Sequence, residues 1–246
     1  SSFLVQMGHV TFLTDPTWSS TASPIVLGPR RFVKPGLAMK DLPPVDFAVV
    51  SHNHYDHMHL DPLAKLAANG TRIFVPLGNA STLRKAGIET VEELDWWETR
   101  TVKNVAVHCV PARHWSRRGL FDGDRALWSG WAVVAADRRF FFAGDTGTFP
   151  GFTEIGERLG PFDLAAVPIG AYEPQAMMQP AHLNPEEAIA AATAVRASKS
   201  VAMHYGTFDL SDEPIDEPPR RYRAASTAAG RDESNDWVLA IGETRQ

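Results

Sequence analysis

The sequence predicts an α/β fold with helices on the outer faces of mixed sheets, because segments with strand and helix patterns alternate along the chain. The apolar run 46–50 is typical of a buried strand. The helical spacing of 60–69 stops at Gly70, and 73–75 forms the next strand. An order of strand, loop, helix and strand is characteristic of layered α/β proteins.

The first 44 residues are predicted to form a β-hairpin followed by a long loop. Two β-rich runs, 3–6 and 10–14, flank a turn at 7–9. Residues 19–44 are rich in Pro, Gly and Arg without periodicity, which is typical of an ordered loop that lines a site. Because the chain starts with Ser1 directly before a strand, we expect an N-terminal strand to be missing or truncated.

The rest of the chain adds a block of strands and two helices. The helix 80–85 is followed by strand patterns at 105–110, 127–136, 139–143, 164–168 and 200–203. A second helix is marked by Asn184 as N-cap and Pro185 at the first helical position, and its pattern extends to about Ala197.

Size and composition are those of a folded protein. The 246 residues, 44% hydrophobic and 22% charged, predict one domain over 1–246 with a sizeable core. A net charge of -5 provides no broad cationic field, so we expect no nucleic-acid partner. Arg30, Arg31, Lys34 and the basic stretch 220–223 are interpreted as solvated surface.

The single cysteine, Cys109, excludes an intrachain disulfide and a cysteine-rich zinc site, so any metal must be held by His and carboxylates. No apolar run approaches the roughly 20 residues that span a bilayer, and no basic n-region is present, so we expect a cytoplasmic protein. A peripheral membrane contact and an oligomer remain open. Apolar stretches in the loop 24–39 would serve a dimer contact or a substrate groove.

Residues of metal-ligand type cluster directly after the first buried strand. The segment 52–57 contains four strong ligands in six positions. Alternation in an extended segment places His52 and His54 on one side, and the following turn can bring Asp56 and His57 to a second point. Imidazole with carboxylate suits zinc, iron or manganese. We therefore expect two adjacent metal ions rather than surface or helix-capping histidines.

Three more ligand types stand where strands are predicted to end. His114 and Asp145 each follow a predicted strand, and His204 ends a third. Taken singly, Asp145 also fits a turn and His114 a core histidine. Their order along the chain favours a joint metal site.

This pattern resembles the signature of the metallo-β-lactamase superfamily. The resemblance implies a four-layer αββα sandwich and two divalent ions, Zn²⁺ first, with Mn²⁺ or Fe²⁺ as alternatives. Asp15 is expected to hold a ligating histidine in its tautomer, as carboxylates behind metal ligands do. The resemblance also implies the ligand sets: His52, His54 and His114 at one ion, Asp56, His57 and His204 at the other, and Asp145 as the bridge.

Beyond the metal motif, the chain resembles the branch of N-acylphosphatidylethanolamine-hydrolysing phospholipase D. The branch has a Gly-His-Ser turn upstream of Phe3 and an amide-bearing residue where Ala181 stands, and the present sequence differs in both. A related ascorbate-6-phosphate lactonase group shares the metal site but fewer outer motifs. The matching stretches are 12–18, 51–57, 112–116, 168–174, 204–208 and 210–214.

The resemblance implies phosphodiester cleavage of phospholipase D type on N-acylphosphatidylethanolamine-like substrates through a metal-bridging hydroxide. Asp56 would orient the hydroxide, and His182 would donate a hydrogen bond to a phosphoryl oxygen. The candidate substrate-binding residues are Trp18, Trp115, Tyr172, Glu173 and Phe208. Core packing is the alternative for each aromatic, because large apolar side chains are generally buried.

Two other functions remain open on the residues alone. The same site would serve a lactonase or other carboxyl-ester hydrolase, because an activated hydroxide also attacks a carbonyl carbon. The cluster would also suit a zinc-stabilised scaffold without catalysis. Turnover of a phosphodiester, of a lactone or of neither would separate the three.

Overall fold

The computed structural model describes residues 1–24 and 28–246. Within these residues, twelve strands form two sheets. The first sheet has five strands in the order β1-β2-β3-β4-β5, and only its β1–β2 pair is antiparallel. Its strands are Phe3–Met7 (β1), Val10–Thr14 (β2), Phe47–Val49 (β3), Arg72–Pro76 (β4) and Val91–Leu94 (β5).

The second sheet has seven strands in the order β12-β11-β10-β9-β8-β7-β6. Pairs from β6 to β9 are antiparallel, and pairs from β9 to β12 are parallel. Its strands are Thr99–Val102 (β6), Val105–Val110 (β7), Gly130–Val134 (β8), Arg139–Phe142 (β9), Phe162–Pro168 (β10), Ala197–Met203 (β11) and Asp236–Trp237 (β12).

Helices connect and cover the sheets, and a short 3-10 helix spans Met39–Asp41. In the part of the chain that the structure describes, no helix has the length and apolar content needed to cross a bilayer. The α-helices are Leu60–Ala68 (α1), Ala80–Lys85 (α2), Gly151–Leu159 (α3), Gln175–Met178 (α4), Pro185–Ala194 (α5) and Glu217–Ala228 (α6).

The main core lies between the two sheets. Phe12 and Phe47 stack with ring centroids 4.8 Å apart, and Phe12 also meets Phe140 of the second sheet at 5.7 Å. The indole N–H of Trp131 on β8 donates to the Val50 carbonyl, 3.0 Å away. Because Val50 directly follows β3, this bond ties the second sheet to the strand that leads into the metal-ligand segment.

Helices cover the two outer faces, so the expected αββα layering is confirmed. The alternate residues of the first sheet, among them Leu13 and Ala48, pack with Leu63 of α1 and Leu83 of α2. Helix α5 packs on β10 and β11 and is flanked by α3 and α6. Period-two alternation along the strands therefore assigns one set of side chains to the inter-sheet core and the other to the helices.

Most predicted elements are present, and the errors have local causes. The helix that begins at Pro185 (α5) was predicted to reach about Ala197, which is wrong. It ends at Ala194, because Arg196 adopts a left-handed φ of 61° and Ala197 begins β11. The strand predicted over 127–136 is shorter, since the Ser129 N–H donates across to the Ser51 carbonyl instead of joining the sheet.

The topology brings several strand ends to one edge. Strand β7 is antiparallel to β8, and β8 to β9, so β7 and β9 run in the same direction as β10 and β11. The loops after β7, β9 and β11 carry His114, Asp145 and His204. The chain is also close-packed here, because a Cβ on Gly170 would lie 2.2 Å from the His204 carbonyl oxygen.

Candidate metal centre

The structure brings together all the side chains predicted as metal ligands. The loop between β3 and α1 contributes four of them, and the loops after β7, β9 and β11 contribute one each. The two sheets therefore each supply part of the cluster. The clustered residues are His52, His54, Asp56, His57, His114, Asp145 and His204.

The first group consists of three imidazoles. His54 Nδ1 lies 2.8 Å from His52 Nε2 and 3.3 Å from His114 Nε2. Two nitrogens bound to one tetrahedral zinc, each about 2.0–2.1 Å from the ion, stand roughly 3.3 Å apart. The spacing of these nitrogens therefore fits ligands around a shared cation.

The second group contains two imidazoles and two carboxylates. His57 Nε2 is 3.1 Å from both Asp56 Oδ2 and Asp145 Oδ2. His204 Nε2 is 3.0 Å from Asp145 Oδ2 and 3.4 Å from Asp56 Oδ2. This mixture of nitrogen and oxygen donors suits zinc, manganese or iron.

Asp145 stands between the two groups. Its Oδ2 lies 4.0 Å from the Nε2 atoms of His52 and His114, and closer to the second group. The residue is 3% exposed, and its Oδ1 has no hydrogen-bond partner among the described residues. A buried carboxylate oxygen without a donor is costly unless a cation compensates it. The donor set therefore fits divalent metal.

Asp15, at the end of β2, holds the rear of the cluster. Its Oδ2 accepts the Nδ1–H of His57 at 2.6 Å and the hydroxyl of Ser51 at 2.7 Å. Since the Ser51 hydroxyl donates to Asp15, its oxygen is left to accept the Nδ1–H of His52 at 2.9 Å. Both histidines then turn Nε2 inward, where this nitrogen can bind a cation once it carries no proton. The predicted contact of Asp15 is confirmed, whereas Ser51 was missed.

The loop before α5 supports the remaining side of the site. The Ala181 carbonyl accepts the Nδ1–H of His114 at 3.0 Å, which again leaves Nε2 free to bind a cation. His182 is 9% exposed, with its ring centroid 5.1 Å from that of His114 and 5.8 Å from that of His204. Its Nδ1 has no partner within the described ranges.

Burial and the carboxylates divide the imidazoles electrostatically. Burial lowers the pKa of His52 and His114 well below the usual value, so both are neutral, as ligands must be. Burial also acts to lower the pKa of His57 and His204, but the negative charge of Asp145 outweighs it. The pKa of His57 is therefore raised well above its usual value, and that of His204 is raised to about 9. Without metal, protons therefore neutralise the second group.

A family model for the "Beta-lactamase superfamily domain" matches residues 10–205. The chain belongs to this superfamily. It is 43% identical over 233 residues to N-acyl-phosphatidylethanolamine-hydrolyzing phospholipase D 1 of Caenorhabditis elegans, covering 89% of this chain and 65% of that protein. The mitochondrial protein of that name in Saccharomyces cerevisiae is 36% identical over 217 residues, covering 85% of this chain and 46% of the yeast protein.

The chain thus spans about two thirds or less of the length of these relatives. A solved metallo hydrolase of the archaeon Ignicoccus hospitalis superposes with a TM-score of 0.72 at 23% identity, covering 99% of this chain and 93% of that structure. This likeness shows the fold. The predicted resemblance to the superfamily and to its N-acylphosphatidylethanolamine branch is confirmed, and the names of the relatives agree with the prediction of a hydrolase.

The aromatic residues predicted to bind substrate in this superfamily member lie in different surroundings. Trp115 is 42% exposed and sets its ring edge against His54, with centroids 4.2 Å apart. Phe208 is half-buried under the Arg31 guanidinium, 4.7 Å from its ring. Trp18 packs on the apolar cluster beneath α1. Trp115 is therefore the one of the three with a ring contact to the cluster.

Tyr172 and Glu173 lie with His182 around a cavity of about 60 Å³. The Tyr172 hydroxyl donates to Glu217 Oε1 at 2.8 Å, so its donor is already used. Glu173 is half-buried at the rim. Tyr172 is 3% exposed, whereas Glu173 is less buried, and substrate binding by either residue stays a prediction.

A larger cavity of about 340 Å³ lies beside the metal-ligand loop and was not predicted. Its walls include Tyr55 and Arg118, which are joined because the Tyr55 hydroxyl donates to the Arg118 carbonyl at 2.9 Å. The sequence signal for this cavity was the pair of adjacent arginines, Arg117 and Arg118, which follow His114 by three and four positions. The lining residues are Ser19, Ser20, Thr21, Ser23, Tyr55, Met58, His59 and Arg118.

The loop 24–39 was predicted to expose apolar residues. Phe32 is 52% exposed, and Val33 and Leu37 are each 36% exposed. Residues 25–27 lie outside the described residues. The proposed use of this loop as a dimer contact or groove stays a prediction.

Replacing Asp15 with Asn should weaken metal binding, because one oxygen that now accepts from His57 and Ser51 becomes an amide nitrogen. Loss of such an outer partner typically costs roughly 10- to 100-fold in metal affinity. Zinc affinity measured by chelator competition would show this. Asp137→Asn, at an exposed turn, is the matched control, and equal affinities for the two variants would contradict the positioning role.

Zinc binding should release protons at pH 7, because His204, with its pKa raised to about 9, and His57 are protonated in the metal-free chain. Affinity should consequently rise as pH increases toward about 9. Calorimetric titration in buffers of different ionisation enthalpy counts the protons. A binding enthalpy independent of the buffer would show that these histidines are already neutral.

Proposed function

We propose that residues 1–246 act as one metal-dependent hydrolase domain that cleaves the phosphodiester bond of N-acylated ethanolamine phospholipids. The observation that carries the proposal is the position of Asp145 Oδ2 between two groups of donors. This arrangement supports a pair of ions sharing one carboxylate. The two relatives named N-acyl-phosphatidylethanolamine-hydrolyzing phospholipase D support the substrate class.

The proposed ligands are those expected from the sequence, with zinc as the first candidate. When bound, the ions would lower the pKa of a coordinated water and stabilise charge on the oxygens of the substrate. The sets are His52, His54 and His114 for one ion, Asp56, His57 and His204 for the other, and Asp145 for both.

Asp56 is proposed to orient the attacking water. Its side chain is 13% exposed, whereas that of Asp145 is 2% exposed. Asp56 therefore reaches the open side of the cluster while Asp145 lies within it. Its pKa is held well below the usual range, since His57 and His204 outweigh the opposing effect of burial. The carboxylate is thus ionised and able to accept a hydrogen bond from water.

His182 is proposed to donate a hydrogen bond to a phosphoryl oxygen. Burial lowers its pKa to about 4, so its ring is neutral at pH 7 and carries one N–H. The ring lies against His114 and His204, and it borders the cavity shared with Glu173. A neutral donor fixed at this edge would stabilise charge on the substrate.

The function is tested with purified, chelated and zinc- or manganese-reloaded protein on an N-acylphosphatidylethanolamine, an aryl phosphodiester and a lactone series. We expect chelation to abolish phosphodiester cleavage and reloading to restore it, with metal content measured in parallel. Turnover of lactones alone would favour a carboxyl-ester hydrolase. Stoichiometric metal without turnover of any substrate would favour a scaffold.

His182→Ala should lower kcat/KM for phosphodiesters by roughly 10²- to 10³-fold, the usual cost of removing a preorganised donor to a developing charge. Metal content should stay unchanged, because His114 and His204 retain their positions. Steady-state kinetics with metal analysis would measure both. The control is His9→Ala in the exposed β1–β2 turn, and a kcat/KM for H182A equal to that of this control would remove His182 from the mechanism.

A further inference from the structure

Two apolar side chains project into solvent on the loop that follows His114. Leu120 is 79% exposed and Phe121 is 85% exposed, the highest values among the large apolar residues that the structure describes. Trp115, on the same loop, is 42% exposed. Adjacent exposed apolar side chains of this size are typical of a surface that contacts an apolar partner.

The loop is ordered by its own hydrogen bonds. Asp122 Oδ1 accepts the N–H groups of Arg118 at 3.1 Å and Gly119 at 2.7 Å. At its base, the Ser116 N–H donates to Asp124 Oδ1 at 3.1 Å, and the Asp124 N–H returns a bond to the Ser116 carbonyl at 2.8 Å. These bonds fix the turn that presents Leu120 and Phe121 to solvent.

The loop is also bonded directly to the metal-ligand segment. The Arg117 N–H donates to Asn53 Oδ1 at 2.9 Å. Arg118 Nη1 donates to the carbonyls of Asn53 at 3.0 Å and Met58 at 2.9 Å. Since Asn53 stands between His52 and His54, a surface bound by the loop would be held in a fixed position relative to the cluster.

The loop differs in charge from the rest of the chain. The chain as a whole carries -5, whereas residues 115–125 carry three arginines and two aspartates, which gives +1, and Arg113 lies just before them. Basic residues beside exposed apolar ones are the combination that binds anionic membrane surfaces. The charged residues of the loop are Arg117, Arg118, Asp122, Asp124 and Arg125; the Arg118 guanidinium is directed inward, whereas Arg117 and Arg125 are exposed.

We infer that residues 115–125 form a docking loop for an anionic lipid surface. Leu120 and Phe121 enter the boundary between headgroups and acyl chains. The exposed Arg117 and Arg125, with Arg113 just before the loop, meet lipid phosphates. The inference deepens the proposed function. It rests on that function only for the purpose of docking, which is to bring the metal cluster to a lipid substrate. Binding to vesicles that contain no substrate tests the loop independently of any catalysis.

The first experiment places a fluorescent reporter in the loop. Gly123 is exposed, and a Cβ at this position would meet nothing within 4 Å, so Gly123→Cys gives an accessible labelling site. Cys109, the native thiol, is fully buried. Glu89→Cys is the control, because Glu89 lies just before β5 and therefore at the opposite edge of the first sheet from the metal ligands.

An environment-sensitive label at position 123 should shift to shorter wavelength with vesicles of phosphatidylcholine and phosphatidylglycerol, and spin-labelled lipids should quench it. The label at position 89 should do neither. The shift should be weaker with phosphatidylcholine alone, because the arginines then lack anionic partners. No shift at position 123, or equal shifts at both positions, would overturn the inference.

The second experiment removes the apolar contacts. The double variant Leu120→Ser/Phe121→Ser should bind the anionic vesicles at least about tenfold more weakly, given the apolar area it loses. The control is Ile215→Ser/Ile241→Ser, which removes residues 54% and 58% exposed elsewhere. Circular dichroism and metal content verify folding. Equal loss of vesicle binding in both double variants would assign the loop another role. So would a parent protein that binds no vesicles and forms a dimer that only Leu120→Ser/Phe121→Ser dissociates.

Discussion

The burial of two carboxylates among five imidazoles is the constraint on which the site and the surrounding loops depend. Such a cluster is stable only if its charges are compensated, either by protons on His57 and His204 or by cations. Asp15, Ser51 and the Ala181 carbonyl hold the outer ring nitrogens of three histidines, so the inner nitrogens remain directed into the cluster. The loops that carry these residues are therefore shaped by the need to hold nitrogen and oxygen ligand atoms close together around compensated charge.

Much of this arrangement could be predicted from the sequence, because ligand residue types and strand ends are local signals. Every predicted ligand joins the cluster, and the αββα layering is confirmed. Strand β5 was missed, since its sequence, Val91–Leu94, has two central glutamates and no alternation. Helix α6 was also missed, because Pro218 and Pro219 lie in its first turn and the helix is highly polar.

Other features depend on contacts between distant parts of the chain, which residue patterns do not specify. The carbonyl of Ala181 meets His114 across 67 positions, and the bond from Trp131 to Val50 spans 81. Trp18 illustrates the same limit: its aromatic character suggested a wall of the site, while its packing on the cluster beneath α1 depends on tertiary structure. Residue types thus predicted which side chains form the site better than they predicted the long-range contacts that position those side chains.

The division of the strands between the sheets has a further consequence. All strands of the first sheet end by Leu94, and all strands of the second begin at or after Thr99. A cut in the short connection between them would yield one fragment with four clustered ligands and another with three. Neither fragment would hold a complete set, so metal binding would report their reassociation. The cation would act as a cross-link between two halves that otherwise meet through an apolar core and hydrogen bonds such as that from Trp131 to the Val50 carbonyl.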